Sequence, residues 1–124
     1  MTTAAKKTDW QTLPFPKSVK ELPYHREFSL WQFEKVKLGL EPKVMEEKWF
    51  IYFEDNALNF HRSWTGLKVY QVDFEITEDK AKTINAFVNN EPEEYIPGSD
   101  DHEARMISYL IDRLLLGKEV SFPT

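Results

Sequence analysis

Glu46-Glu47-Lys48-Trp49-Phe50-Ile51-Tyr52-Phe53-Glu54-Asp55-Asn56-Ala57-Leu58-Asn59-Phe60-His61-Arg62-Ser63-Trp64-Thr65-Gly66 is the stretch whose reading decides the fold. From Lys48 onward side-chain character repeats with the period of a strand, so Trp49, Ile51 and Phe53 share one side while Phe50, Tyr52 and Glu54 share the other. Asp55-Asn56 is a two-residue hairpin loop, because both residue types tolerate positive φ better than most. That loop sets Phe53 opposite Leu58, Ile51 opposite Phe60 and Trp49 opposite Arg62.

The next connection is decided by parity, since a slip of one residue would turn every side chain to the other face. A two-residue loop at Trp64-Thr65 would leave Tyr70, Val72, Phe74 and Ile76 on the outer face. A three-residue loop, Trp64-Thr65-Gly66 with Gly66 left-handed, instead sets Phe60 opposite Tyr70 and Leu58 opposite Val72. The second solution keeps Trp49, Ile51, Phe53, Leu58, Phe60, Tyr70, Val72, Phe74 and Ile76 together and is preferred. Thr77-Glu78-Asp79-Lys80 reads as a turn, and 81–88 as a fourth strand with Ile84, Ala86 and Val88 inward; a short helix is the alternative there.

Working outward, Ser29 is placed to cap a helix over 30–38 that Gly39 ends and Pro42 keeps from resuming. A second helix starts near Ser99 or Asp100, with Glu103 positioned for a capping box. It carries Met106, Ile107, Leu110, Ile111, Leu114 and Leu115 at helical spacing and stops at Gly117. Residues 13–24 hold Pro14, Pro16 and Pro23, which block a regular helix and impose extended geometry, with Phe15, Val19 and Tyr24 as contacts. Residues 1–12 are small and polar and are expected to form a flexible tail, leaving 13–124 as a single domain. The expected class is α+β: an antiparallel sheet of about four strands with the C-terminal helix packed on one face.

The chain has 124 residues, 41% of them hydrophobic and 15% aromatic, enough to bury one core without a cofactor. With no cysteine, disulfides, thiolate metal sites and thiol nucleophiles are excluded. His25, His61 and His102 are too scattered to form a metal site by themselves. The net charge of −5 comes without any block of Lys or Arg, which argues against a nucleic-acid partner and is compatible with docking onto a basic protein. Lys6 and Lys7 are followed by no apolar run, so neither a secretory signal nor a membrane span is expected, and the simplest location is cytoplasmic.

Candidate functional residues concentrate at the second turn. Arg62 projects beside Trp49 and Phe60, where its guanidinium must find an aromatic face, a carboxylate or an anionic ligand. His61 faces the other way, near Lys68 or Val69, and reads as a surface or half-buried polar group rather than a general base. Ser63 has no nucleophile elbow around it, and its hydroxyl is expected to bond backbone within the turn. Trp64 at the loop tip either folds over the end of its own core or inserts into a partner. Glu46, Glu47, Glu54 and Asp55 read as solvated caps, and no catalytic residue is assigned.

Met45-Glu46-Glu47-Lys48-Trp49-Phe50-Ile51-Tyr52 followed by His61-Arg62-Ser63-Trp64-Thr65-Gly66 resembles the signature of a family of small, poorly characterised bacterial domains. The resemblance covers about a quarter of the chain. It implies a bacterial origin and, because such domains occur alone and beside enzymes of ADP-ribose metabolism, a connection to nucleotides; it assigns no catalytic residue. Two expectations follow. One is a non-enzymatic protein-binding domain, such as an immunity protein blocking a toxin or a regulator of a partner enzyme, that docks through His61, Arg62, Ser63, Trp64 and Trp49. The other is a domain that binds, or even hydrolyses, a nucleotide or ADP-ribose-like anion held by Arg62, Trp64 and His61.

Overall fold

A computed structural model describes residues 3–44 and 46–123. Met1 and Thr2 of the expected tail, and Met45 of the signature, lie outside the described residues. Among the described residues, six antiparallel strands and two α-helices run in the order β1 (Val19–Leu22), β2 (Glu27–Ser29), α1 (Leu30–Leu38), β3 (Trp49–Glu54), β4 (Ala57–Arg62), β5 (Lys68–Ile76), β6 (Lys80–Asn89) and α2 (Asp100–Leu110). The sheet order is β1-β6-β5-β4-β3, and β2 also pairs with β6. The class is α+β, with a larger sheet than the four strands expected. The two additional strands come from the segment around Pro23, because proline is tolerated where a short edge strand is interrupted. There Tyr24 and Arg26 bond Thr83 through their backbone atoms.

The β3–β4 hairpin has the expected register, with Trp49 opposite Arg62, Ile51 opposite Phe60 and Phe53 opposite Leu58. Asp55 and Asn56 take φ of 54° and 61°, as a two-residue loop of this kind requires. Phe60 lies opposite Tyr70 and Leu58 opposite Val72, also as expected, but by a different device. The turn holds four residues, Ser63 to Gly66, closed by Arg62 N–H donating to the Leu67 carbonyl and Gly66 N–H to the Arg62 carbonyl. A bulge then absorbs Val69, because His61 pairs with Lys68 and Phe60 with Tyr70. The extra residue restores parity and puts Val69 and Tyr70, two consecutive residues, in the core.

A second bulge corrects the reading of β6. Asp73 pairs with Asn85 and Phe74 with Thr83, so Ile84 is the extra residue and stands 45% exposed. Thr83, with Ala81, Ala86 and Val88, is buried instead. Ile76, expected inward, is also exposed at the end of its strand.

Helix α1 matches its expected bounds. Ser29 Oγ accepts from Gln32 N–H, and Gln32 Oε1 accepts from Ser29 N–H. Gly39, at φ 66°, ends it. A side chain there would run into the Ile51 carbonyl, because Leu40 exchanges two hydrogen bonds with Ile51 on the open edge of β3 (2.8 and 2.9 Å). Helix α2 is capped by Ser99, whose Oγ accepts from His102 N–H. It leads into a π-helical turn, Ile111–Leu115, before Gly117. Ile107, Leu110 and Ile111 belong to the same core as Phe28, Phe33, Leu58, Phe60, Val72 and Val88. Arg26, just before β2, makes a two-pronged contact with Asp112, the shorter prong being 2.6 Å.

The other side of the sheet carries a smaller cluster of Ala5, Phe50 and Tyr52, with Trp10 packed on it. The segment read as a tail therefore makes specific contacts. Ala5 N–H donates to the Leu38 carbonyl and Trp10 Nε1–H to the Ser63 carbonyl, and Leu13, just past that segment, donates its N–H to the Gly66 carbonyl. Gly66, at φ 79°, lets that crossing happen, because a Cβ would come within 2.8 Å of the Gln11 carbonyl oxygen. No helix of the described residues is long and apolar enough to cross a membrane.

Candidate functional site

Two surfaces gather polar side chains, and the His61–Gly66 segment touches both. On the core side of the turn, Lys48, Arg62, Trp64, Thr65, Leu67, Val69, Glu94 and Tyr95 line a cleft of about 470 Å³. Arg62 lies over the Trp49 ring, 4.7 Å from its centroid. Trp49 in turn stacks on Tyr70 at 6.0 Å and 21°. Of the partners expected for the guanidinium, the aromatic face is the one it takes.

Beneath that cleft lies a polar group that local sequence pattern misassigns. Glu103 was expected to complete the α2 cap; its side chain is buried instead, 1% exposed. Its Oε1 accepts from the hydroxyls of Tyr70 (2.7 Å) and Tyr95 (2.5 Å), and its Oε2 from Gly98 N–H (3.2 Å). Burial, followed by these hydrogen bonds, pushes the Tyr95 phenol up to about 12 and the Tyr70 phenol further still. Both tyrosines therefore stay protonated donors. Glu103 fixes Tyr95 as one wall of the cleft.

Trp64 is 71% exposed and lies between this cleft and a second hollow that it lines with Trp10, Pro42, Lys43, Val44 and Ser63. It does not fold over its own core. Ser63 is buried, and its hydroxyl donates to the Glu47 carbonyl (2.8 Å) rather than within the turn. Its N–H donates to the Lys48 carbonyl. The hydroxyl thus ties the turn to the approach to β3.

His61 lies on the opposite face of the sheet from Arg62. It is 2% exposed, not a surface group, stacked on Tyr52 at 5.6 Å and 21°. Its Nδ1 lies 3.0 Å from the Gly66 carbonyl, which can only accept, so Nδ1 carries the proton and Nε2 is a bare acceptor. Nε2 is buried with no partner among the described residues. Burial above all, aided by Lys68 and Lys7 and opposed by the Gly66 bond, lowers the His61 pKa to about 4. The imidazole is therefore neutral at pH 7.

Around His61 the outer sheet face carries Tyr52, Asn59, Lys68, Gln71 and Asp73, which line a separate cleft of about 520 Å³. The Val69 bulge is what aims Lys68 outward, in line with Gln71 and Asp73. Burial lowers the Lys68 pKa to about 8, with Asp73 raising it and Lys7 lowering it. Sequence pattern missed this group, because the residues that pack on Tyr52 and Lys68, namely Ala5, Trp10 and Phe15, lie far away in the chain. Lys48 and Tyr95 were also missed as cleft residues. No group of three His, Asp or Glu side chains suited to a metal occurs among the described residues.

No protein-family model, curated protein or solved structure matches the chain.

Proposed function

We propose that this chain is a small, non-enzymatic bacterial protein-binding domain, of the immunity or enzyme-regulating kind, that works in the cytoplasm and docks through the Ser63–Gly66 turn. The observation that carries the reading is Trp64: a 71% exposed indole on a turn anchored by hydrogen bonds from Ser63 to residues 47 and 48 and from residues 10 and 13 to Ser63 and Gly66. An aromatic on a rigid mount loses little freedom when it enters a partner's pocket, and interface hot spots are rich in Trp and Arg. Arg62 and Lys48 beside it suit carboxylates at the partner's rim. The overall charge of −5 favours approach to a basic protein. We read α2 as packed on one face of the sheet, which leaves the turn clear.

The test is a photoreactive residue in place of Thr65, cross-linked in the host cell and read by mass spectrometry, then a titration of the purified pair. Trp64→Ala should weaken the complex about tenfold or more, since a hot-spot tryptophan contributes ~2 kcal/mol. A partner bound equally well by Trp64→Ala would overturn the reading.

A second reading is favoured by the meeting of two cations, an indole and a phenol in one cleft. Arg62 and Lys48 would hold the phosphates of a nucleotide or ADP-ribose-like anion, with the base stacked on Trp64. Calorimetry with ADP-ribose, ATP and AMP decides it: saturable heat that Arg62→Ala abolishes supports it, and silence across the three removes it.

A further inference from the structure

The outer-face cleft gathers polar groups that the turn does not use. Asn59 is 6% exposed, and its Nδ2 donates to the carbonyls of Tyr52 and Ala57, which fixes the amide's orientation. Its Oδ1 then faces the cleft as an acceptor that takes no bond from the described residues. Tyr52 is also 6% exposed, and its hydroxyl likewise has no hydrogen-bonding partner among them. Both atoms stand open to the cleft rather than sealed in the core, so each is free to take a hydrogen bond from a molecule seated there.

Charge narrows the choice. Along β5, Lys68 Nζ donates to Gln71 Oε1, and Gln71 Nε2 donates to Asp73 Oδ1 (2.8 Å), so a cation and an anion stand one amide apart in the same cleft. Neither forms a salt bridge among the described residues. Phe15 lies against Lys68, 4.5 Å from Nζ to its ring centroid, and Glu54 and Asp55 stand at the rim beyond Asp73. A simple anion would meet three carboxylates here, and a simple cation would meet Lys68. A neutral sugar would leave both charges without a counterpart. A small zwitterion sets an anion against Lys68 and a cation against Asp73.

We propose that this cleft binds a free α-amino acid, with Lys68 and the Tyr52 hydroxyl donating to its carboxylate and Asp73 and Asn59 Oδ1 accepting from its ammonium group. The site stands apart from the Trp64 turn and does not rest on the reading given for it. Ala57, Phe74 and Ile84 complete the lining.

Titration of the ¹⁵N-labelled whole chain with L-leucine, L-arginine and L-glutamate tests it, alongside the N-acetyl and amide derivatives of each, glucose and spermidine. Expected are saturable shifts at residues 52, 59, 68, 71 and 73 with at least one free amino acid, and at least tenfold weaker binding of its N-acetyl and amide forms. Lys68→Met and Asp73→Asn should each weaken binding about tenfold or more, as loss of a charge-assisted hydrogen bond implies. Tyr52→Phe, which keeps the ring and removes only the hydroxyl, serves as a milder variant and should weaken binding about threefold or more. The inference is overturned if no free amino acid shifts these residues at millimolar concentration. It is equally overturned if glucose or spermidine binds there and no amino acid does, or if folded Lys68→Met, Asp73→Asn and Tyr52→Phe all bind as the parent does.

Discussion

The two faces of the sheet handle buried polar groups in opposite ways. On the core side, both oxygens of Glu103 are satisfied, and the tyrosines that serve them are held in a stack reaching Arg62. On the outer side, His61 Nε2 is buried without a partner among the described residues, while Asn59 Oδ1 and the Tyr52 hydroxyl open onto the cleft. A completed network is scaffold, because every member is already occupied. An incomplete one marks where the fold tolerates a cost that something else must offset.

Breaking the completed side should give the largest effect. Glu103→Ala removes the acceptor shared by the buried Tyr70 hydroxyl, the half-buried Tyr95 hydroxyl and the Gly98 N–H, leaving the two phenols only each other, and urea denaturation should show a loss of about 3 kcal/mol. A loss under ~1 kcal/mol would mean that the network is not the scaffold described.

The outer side should respond to pH. The folded-state pKa of His61, about 4, lies below its unfolded value of about 6.5, so folding favours the neutral ring. That contribution is whole above pH ~6.5 and disappears as pH falls through the folded value, a change of roughly 3 kcal/mol. His61→Leu should flatten the stability profile between pH 6.5 and 4, as followed by denaturant midpoints. An unchanged slope in the variant would place the acid sensitivity elsewhere.

Smaller effects separate scaffold from surface around the turn. Arg62→Ala should lower stability by about 1 kcal/mol through loss of its contact with Trp49. Trp64→Ala, at an exposed position, should change the thermal midpoint by an amount equivalent to less than about 0.5 kcal/mol while impairing binding. If Trp64→Ala instead unfolds the protein, the indole is a structural member and the docking reading loses its support.

Local features were readable from sequence, and features imposed by distant chain were not. Asp55-Asn56, the Ser29 cap and the Gly39 stop depend on a few neighbouring residues, and all appear where expected. The Phe60–Tyr70 register was readable from hydrophobic parity, but parity cannot distinguish a loop residue from a bulge at Val69. The same ambiguity hid the Ile84 bulge. Glu103 fits a capping pattern by spacing alone, and only the tertiary approach of Tyr70 and Tyr95 reveals its part. Arg62 and Trp64 were recognisable as a pair because adjacent strand positions and a turn tip announce themselves. Lys68 was not, since Phe15, which lies over its ammonium, comes from some fifty residues upstream.

Gly39 has a bearing on how the protein behaves in a crowded solution. By letting Leu40 bond Ile51 in both directions, it seals the middle of the sheet's outermost long strand, where a foreign chain would otherwise add itself. A bulkier residue there would unfasten that seal, and the apolar run from Trp49 to Phe53 would become a template for self-assembly.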